Sequence, residues 1–231
     1  MVETILDRKE SRKKHIKKDI GKNTKVICIF KIIAILLIIQ VLRILTQKIA
    51  FNIIGGKAVN MLLLRSIVVL LFTTVILLVF RKRKIDISLF PKEKKSMYII
   101  FPFVILGLAF SGAIISEEYT ISYFLNVIYS IILTPIFEEI IFRGYVWNKL
   151  EKNGFSSIIT YVIVTLLFAL WHLGYIDTIA IKVKTDFLVY VMFMKVVVGL
   201  CFGVVLGAVR LKTKNSYSTI LLHSLLNIFG R

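Results

Sequence analysis

The sequence predicts an all-α fold, a polytopic transmembrane helical bundle of about seven or eight helices. Three observations carry this. Of the 231 residues, 58% are hydrophobic, against about 45–50% in an ordinary soluble domain, and the mean hydropathy is +0.84. The apolar residues fall in long uninterrupted blocks, and a run of roughly 18 or more reads as a membrane span. Lysine and arginine number 31 against 13 acids, a net charge of +18, and they gather at the edges of the apolar blocks. A nucleic-acid-binding protein would collect them on one soluble face. Their placement here follows the positive-inside pattern and attraction to anionic headgroups, so the expected partner is the lipid bilayer, with no nucleic acid.

The elements follow in order. Residues 1–25 read as a basic cytosolic tail. The block 26–45 is too long for a signal-peptide core and lacks a clear small-residue cleavage site, so it is expected to remain as a signal anchor. Further apolar segments occupy 61–80, 97–115, 121–150, 156–174, 187–209 and 216–230. Residues 26–119 look like generic transmembrane helices, and 120–231 like the functional core. The segment 121–150 is too long for one straight crossing: 30 residues would span about 45 Å, against a hydrocarbon core of about 30 Å. Pro135 lacks an N–H and clashes with the preceding turn, so a break or kink is expected there, and this sets the count at seven or eight.

The loops give an orientation. The tail, "RKRKIDISLFPKEKK" after the second segment, "EKNG" at 151–154 and "RLKTKN" at 210–215 fall inside, while the acidic "SEEY" and the mixed loop 175–186 fall outside. A multi-pass cell-membrane protein with a cytosolic N-terminus satisfies the lysine and arginine bias. The lysine-heavy composition hints at a low-GC bacterium. Cys28 and Cys201 lie in apolar segments without CxxC or zinc-type spacing and are expected to be buried thiols.

An ionisable group inside a span costs about 2.5–3.5 kcal/mol on insertion scales and is a functional candidate by default. The candidates are Glu138, Glu139, Arg143, His172, Lys195, His223 and Asn227, with Lys31, Arg43 and Arg65 near segment ends. Snorkelling accounts for those last three, and is the favoured reading of Lys195. The turn near 153–154 makes an antiparallel hairpin in which Glu138 and His172 lie about 23 and 27 Å from the turn, at nearly one depth. They can face each other. His223 and Asn227 are four apart and share a helix face, roughly 15–20 Å in from the 210–215 loop. Adjacent residues point about 100° apart, so the two glutamates do different work. Arg143 pairs naturally with Glu139 at i,i+4, leaving Glu138 as a base whose burial suits proton transfer.

These residues form three motifs in order: EExxxR as "EEIIFRG" (Glu138, Glu139, Arg143), FxxxH as "FALWH" (Phe168, His172) and HxxxN as "HSLLN" (His223, Asn227). Over about residues 120–230 the sequence resembles the CPBP intramembrane proteases, the group of CAAX prenyl endopeptidases and bacterial bacteriocin-immunity (Abi) proteins. The resemblance implies an intramembrane endopeptidase acting on a membrane-associated peptide or protein. Glu138 and His172 would activate water, and His223 and Asn227 would stabilise the oxyanion. It also allows a metalloprotease, with zinc held by Glu138, His172 and His223. HExxH is absent, and the sequence does not choose between metal and direct acid/base activation. Two competing readings stay open. A catalytically idle immunity or scaffold protein would share the fold. A proton-coupled transporter would use similar intramembrane groups but often shows internal repeats, and none is evident here.

Overall fold

Lipid offers the backbone no hydrogen-bond partners, so each spanning segment must satisfy its own polar groups, and helices do so. The computed structural model describes residues 2–54, 58–91, 96–117, 119–180 and 183–230, and among them there is helix and no strand. In chain order the helices are α1 (Val2–Ile54), α2 (Ala58–Lys82), α3 (Met97–Ser116), α4 (Ile121–Lys152), α5 (Ser157–Ala180), α6 (Thr185–Thr213) and α7 (Ser216–Phe229). Three starts are set by side-chain caps that satisfy orphan first-turn N–H groups. Thr120 accepts from Tyr123 N at 3.2 Å, Ser156 from Ile159 N at 3.3 Å and Asn215 from Ser218 N at 2.9 Å. Five stretches are long and apolar enough to cross a membrane: Asn23–Ile49, Val59–Lys82, and the whole of α4, α5 and α6. The chain is a multi-pass membrane protein built as a helical bundle.

Every apolar segment read from the sequence is a helix, but Pro135 does not divide the fourth. α4 runs through it without interruption, and the strain is absorbed by winding. Ile128–Leu133 and Ile140–Val146 are π-helical, on either side of the α-helical Thr134–Glu139. A wider turn tolerates a proline because the freed carbonyls find other donors. Tyr129 O accepts from Thr134 Oγ1 at 2.8 Å. Ser130 O, the acceptor that an i−5 N–H at Pro135 would have used, takes Asn227 Nδ2 at 2.7 Å.

α4 is the central helix. Phe137, Ile141, Phe142, Val146, Trp147 and Leu150 are fully buried on it, against Ile32 and Leu36 of α1, Val69 of α2, Phe168 of α5 and Leu206 of α6. α5 and α6 pack closely because glycines let their backbones approach, the small-residue logic of membrane helices. Thr165 Oγ1 donates to Gly203 O at 3.2 Å, and a Cβ at Gly207 would lie 2.4 Å from the Tyr161 ring.

Residues 83–91, after α2, form a strap across one end of the core. Ser216 N and Tyr217 N, first-turn donors of α7, bond Ser88 O and Leu89 O at 2.9 Å each. Asn148 Nδ2 donates to Asp86 O and Ser88 Oγ, both at 2.9 Å, and Ile87 lies against Gly144.

Three expectations need correction. Arg43 and Arg65 do not snorkel: they are 1% and 9% exposed. Both turn toward neighbouring helices, a direction that nearness to a segment end does not encode. Cys28 is buried as expected, but Cys201 is exposed, because its face of α6 turns outward. Lys31 and Lys195 are exposed, in keeping with snorkelling.

Candidate functional site

α4 presents its charges in two directions. Glu139 and Arg143 form the pair expected from their spacing, Nη1 to Oε1 at 2.9 Å, with neither side chain exposed. Arg143 also donates to Gly203 O at 3.4 Å and lies over the Phe168 ring at 4.2 Å. The same Glu139 oxygen binds His223 Nδ1 at 2.9 Å. Glu139 therefore couples α4 to α7 as well as neutralising Arg143, a role that the i,i+4 spacing does not reveal.

Glu138 points toward the hairpin arm of α5. Its Oε1 accepts from Trp171 Nε1 at 3.2 Å and from Tyr175 OH at 2.5 Å. Its Oε2 faces His223 Nε2 at 3.8 Å, too far for a direct hydrogen bond. Among the described residues Glu138 makes no hydrogen bond or ion pair to His172. The hairpin meets it through the neighbours, Trp171 and Tyr175. Their signal in the sequence is the pair of polar-tipped aromatics one helical turn apart in "WHLGY".

His172 and His223 flank one ring, with centroids 5.0 and 5.7 Å from Phe168. His172 Nδ1 lies 2.9 Å from Phe168 O. A carbonyl can only accept, so Nδ1 carries the proton and the neutral ring keeps its lone pair on Nε2. The Glu139 carboxylate imposes the same tautomer on His223. Asn227, half-buried on α7, uses one N–H on Ser130 O. Gly199 of α6 seats His172: a Cβ there would lie 2.7 Å from Nδ1. Gly199→Ala is expected to change the melting temperature little, since alanine's helix preference of about 1 kcal/mol offsets part of the clash with the His172 ring. It should nevertheless lower turnover by displacing the ring, and a wild-type turnover rate would count against this seating.

A third layer comes from α1. Arg43 donates through Nη2 to Gly174 O and lies 4.6 Å over the Tyr175 ring. It reaches Asp177 Oδ1 at 3.9 Å, and Gln40 and Gln47 accept from it at 3.3 and 3.4 Å. A generic-looking first span thus buttresses the tyrosine that binds Glu138.

A metal needs three or more converging protein donors in an open site. Glu138, His172 and His223 are the right types. Among the described residues, however, no group of three or more His, Cys, Asp or Glu side chains is placed to hold an ion.

A helical membrane protein with a fully buried Glu–Glu–Arg helix, and histidines brought beside it from two other helices, defines a class: bundles with a buried polar site. Residues 120–229 match the family model of the Rce1-like type II CAAX prenyl endopeptidases. The match begins beside α4, ends at the close of α7 and contains all three motifs, so the resemblance read from those motifs stands. It supports a protease of the CAAX type. α1, α2 and α3 lie outside it. No curated protein and no solved structure matches the chain.

Proposed function

We propose that the protein is an intramembrane endopeptidase that hydrolyses a peptide bond of a membrane-associated peptide or protein with water activated at Glu138. The observation that carries this is the division of the Glu138 carboxylate. Trp171 and Tyr175 hold Oε1, while Oε2 faces His223 Nε2 at 3.8 Å, a separation that one water can bridge. Glu138 takes a proton from that water as it attacks the scissile carbonyl and returns it to the leaving amine. His172, anchored through Nδ1, shares the proton handling through Nε2. The second N–H of Asn227 donates to the oxyanion, and His223, oriented by Glu139 through Nδ1, does so through Nε2 when protonated. Direct acid/base activation is favoured over a metal because, among the described residues, no three His, Cys, Asp or Glu side chains are placed to hold an ion. The lysine and arginine distribution supports a cytosolic N-terminus.

The test is isotopic. Wild-type protein in liposomes is incubated in ¹⁸O-water with a panel of transmembrane and lipid-anchored peptides. A new C-terminal carboxylate carrying one ¹⁸O is expected in the products. An entirely uncleaved panel would sink the proposal.

A further inference from the structure

The turn that carries Tyr175 is held from outside its own helix. His172–Tyr175 is wound as a 3₁₀-helix, a tight form with poorer internal hydrogen bonds that often marks a functional hinge. It turns Tyr175 further round the axis from Trp171 than α-helical spacing would. Both side chains nevertheless reach Glu138 Oε1. α1 supplies the restraint. Gln40, Arg43 and Gln47 lie at i, i+3 and i+7, on one helix face, and all three are buried. Gln40 Nε2 donates to Trp171 O at 3.4 Å, and Arg43 Nη2 donates to Gly174 O. Gly174 admits them, since a Cβ there would overlap Gln40 Nε2.

Arg43 commits every nitrogen. Nε donates to Gln40 Oε1 at 3.3 Å and Nη1 to Gln47 Oε1 at 3.4 Å. Nη2, already on Gly174 O, reaches Asp177 Oδ1 at 3.9 Å, the limit of an ion pair, so pairing alone does not account for a buried cation in a spanning helix. The guanidinium lies 4.6 Å from the centroid of the Tyr175 ring, an attraction that strengthens where water is excluded. A fork fixed by two glutamines and a carbonyl cannot swing, so it holds both the ring and the backbone before it.

We propose that Arg43 is a positioning residue for Glu138, acting through Tyr175. This rests on the reading of Glu138 as the base of an endopeptidase. A fixed phenol keeps Oε1 engaged and leaves Oε2 turned toward His223 Nε2, where the water is activated. A carboxylate without that anchor rotates about its last torsion, which is broad and roughly two-fold, and presents either oxygen. α1 lies outside the residues 120–229 that the family model matches, so the site draws on a helix beyond the match.

The test has a spectroscopic and a kinetic readout. Full-length protein with 3-fluorotyrosine at position 175 is placed in nanodiscs and its ¹⁹F resonance followed. Glu138→Gln should shift the resonance, because the acceptor changes. Arg43→Met should shift and broaden it as the ring comes free. Arg43→Lys keeps the charge but has one nitrogen, which cannot both donate to Gly174 O and cover the ring, so a smaller shift is expected. The lysine variant carries the test should methionine prevent folding. In liposomes Arg43→Met should lower kcat by up to about 100-fold, the cost of a small misplacement at a reacting group, with KM little changed. Arg43→Lys should recover part of that rate. Tyr175→Phe should also lower kcat, and adding Arg43→Met to it should cost little more, because the two act in series. A resonance unmoved by both Arg43 variants overturns the proposal, as do independent, multiplying losses in the double variant. A resonance that moves with Glu138 and Arg43 in a protein that cleaves no peptide upholds the positioning and removes the endopeptidase reading.

Discussion

Glu138→Gln is expected to reduce kcat for peptide hydrolysis by about 10²–10⁴-fold, the usual range for removing a general base. The substitution is chosen for what it keeps. A glutamine carbonyl can still accept from Trp171 Nε1 and Tyr175 OH, so the side chain stays where Oε1 now holds it. What changes is the other end, where an amide nitrogen replaces the oxygen facing His223 Nε2. An amide donates there and cannot take a proton from water. Substrate binding and melting temperature should therefore stay near wild type while the chemical step slows, which single-turnover kinetics in liposomes can resolve. A variant retaining wild-type turnover would remove Glu138 from the chemistry.

Arg143→Met should give the largest loss of stability, about 3–5 kcal/mol, because it strands the Glu139 carboxylate in a buried site. The double variant Glu139→Gln/Arg143→Met is expected to recover most of that loss, since no uncompensated charge remains. It should not recover activity. Glu139 also fixes His223 through Nδ1, and glutamine cannot neutralise a protonated ring. Denaturation in mild detergent and cleavage rates together give the cycle. If the double variant were as unstable as Arg143→Met alone, the buried pair would not be the source of the loss.

Much of this site was legible in the sequence because its parts obey helical spacing. Glu139 and Arg143 sit one turn apart and meet. Equal depth in the hairpin brings α4 and α5 together near Glu138, yet contact falls to Trp171 and Tyr175, since depth does not fix rotation about a helix axis. His223 and Asn227 share a face of α7 but reach different turns of α4, Glu139 and Ser130 O. Pro135 was expected to break or kink α4, and the chain absorbs it through π-helical winding, which depends on acceptors and donors arriving from outside the local sequence. Arg43 and Arg65 were the least legible. Their partners are a backbone carbonyl and a tyrosine ring on another helix in one case, and a cavity wall in the other. Neither leaves a pattern in the flanking residues.

The strap at residues 83–91 bears on how the chain comes together. Its carbonyls at Ser88 and Leu89 receive the first amides of the last helix, groups that a helix start cannot satisfy from within. The acceptors leave the ribosome more than a hundred residues ahead of the donors. The early part of the protein thus holds a prepared berth, and the histidine needed opposite Glu139 arrives only when α7 docks into it. The contact between Glu139 and His223 is thereby absent from every nascent form of the chain, and residues 120–229 expressed without the first three helices would lack the berth that aligns α7.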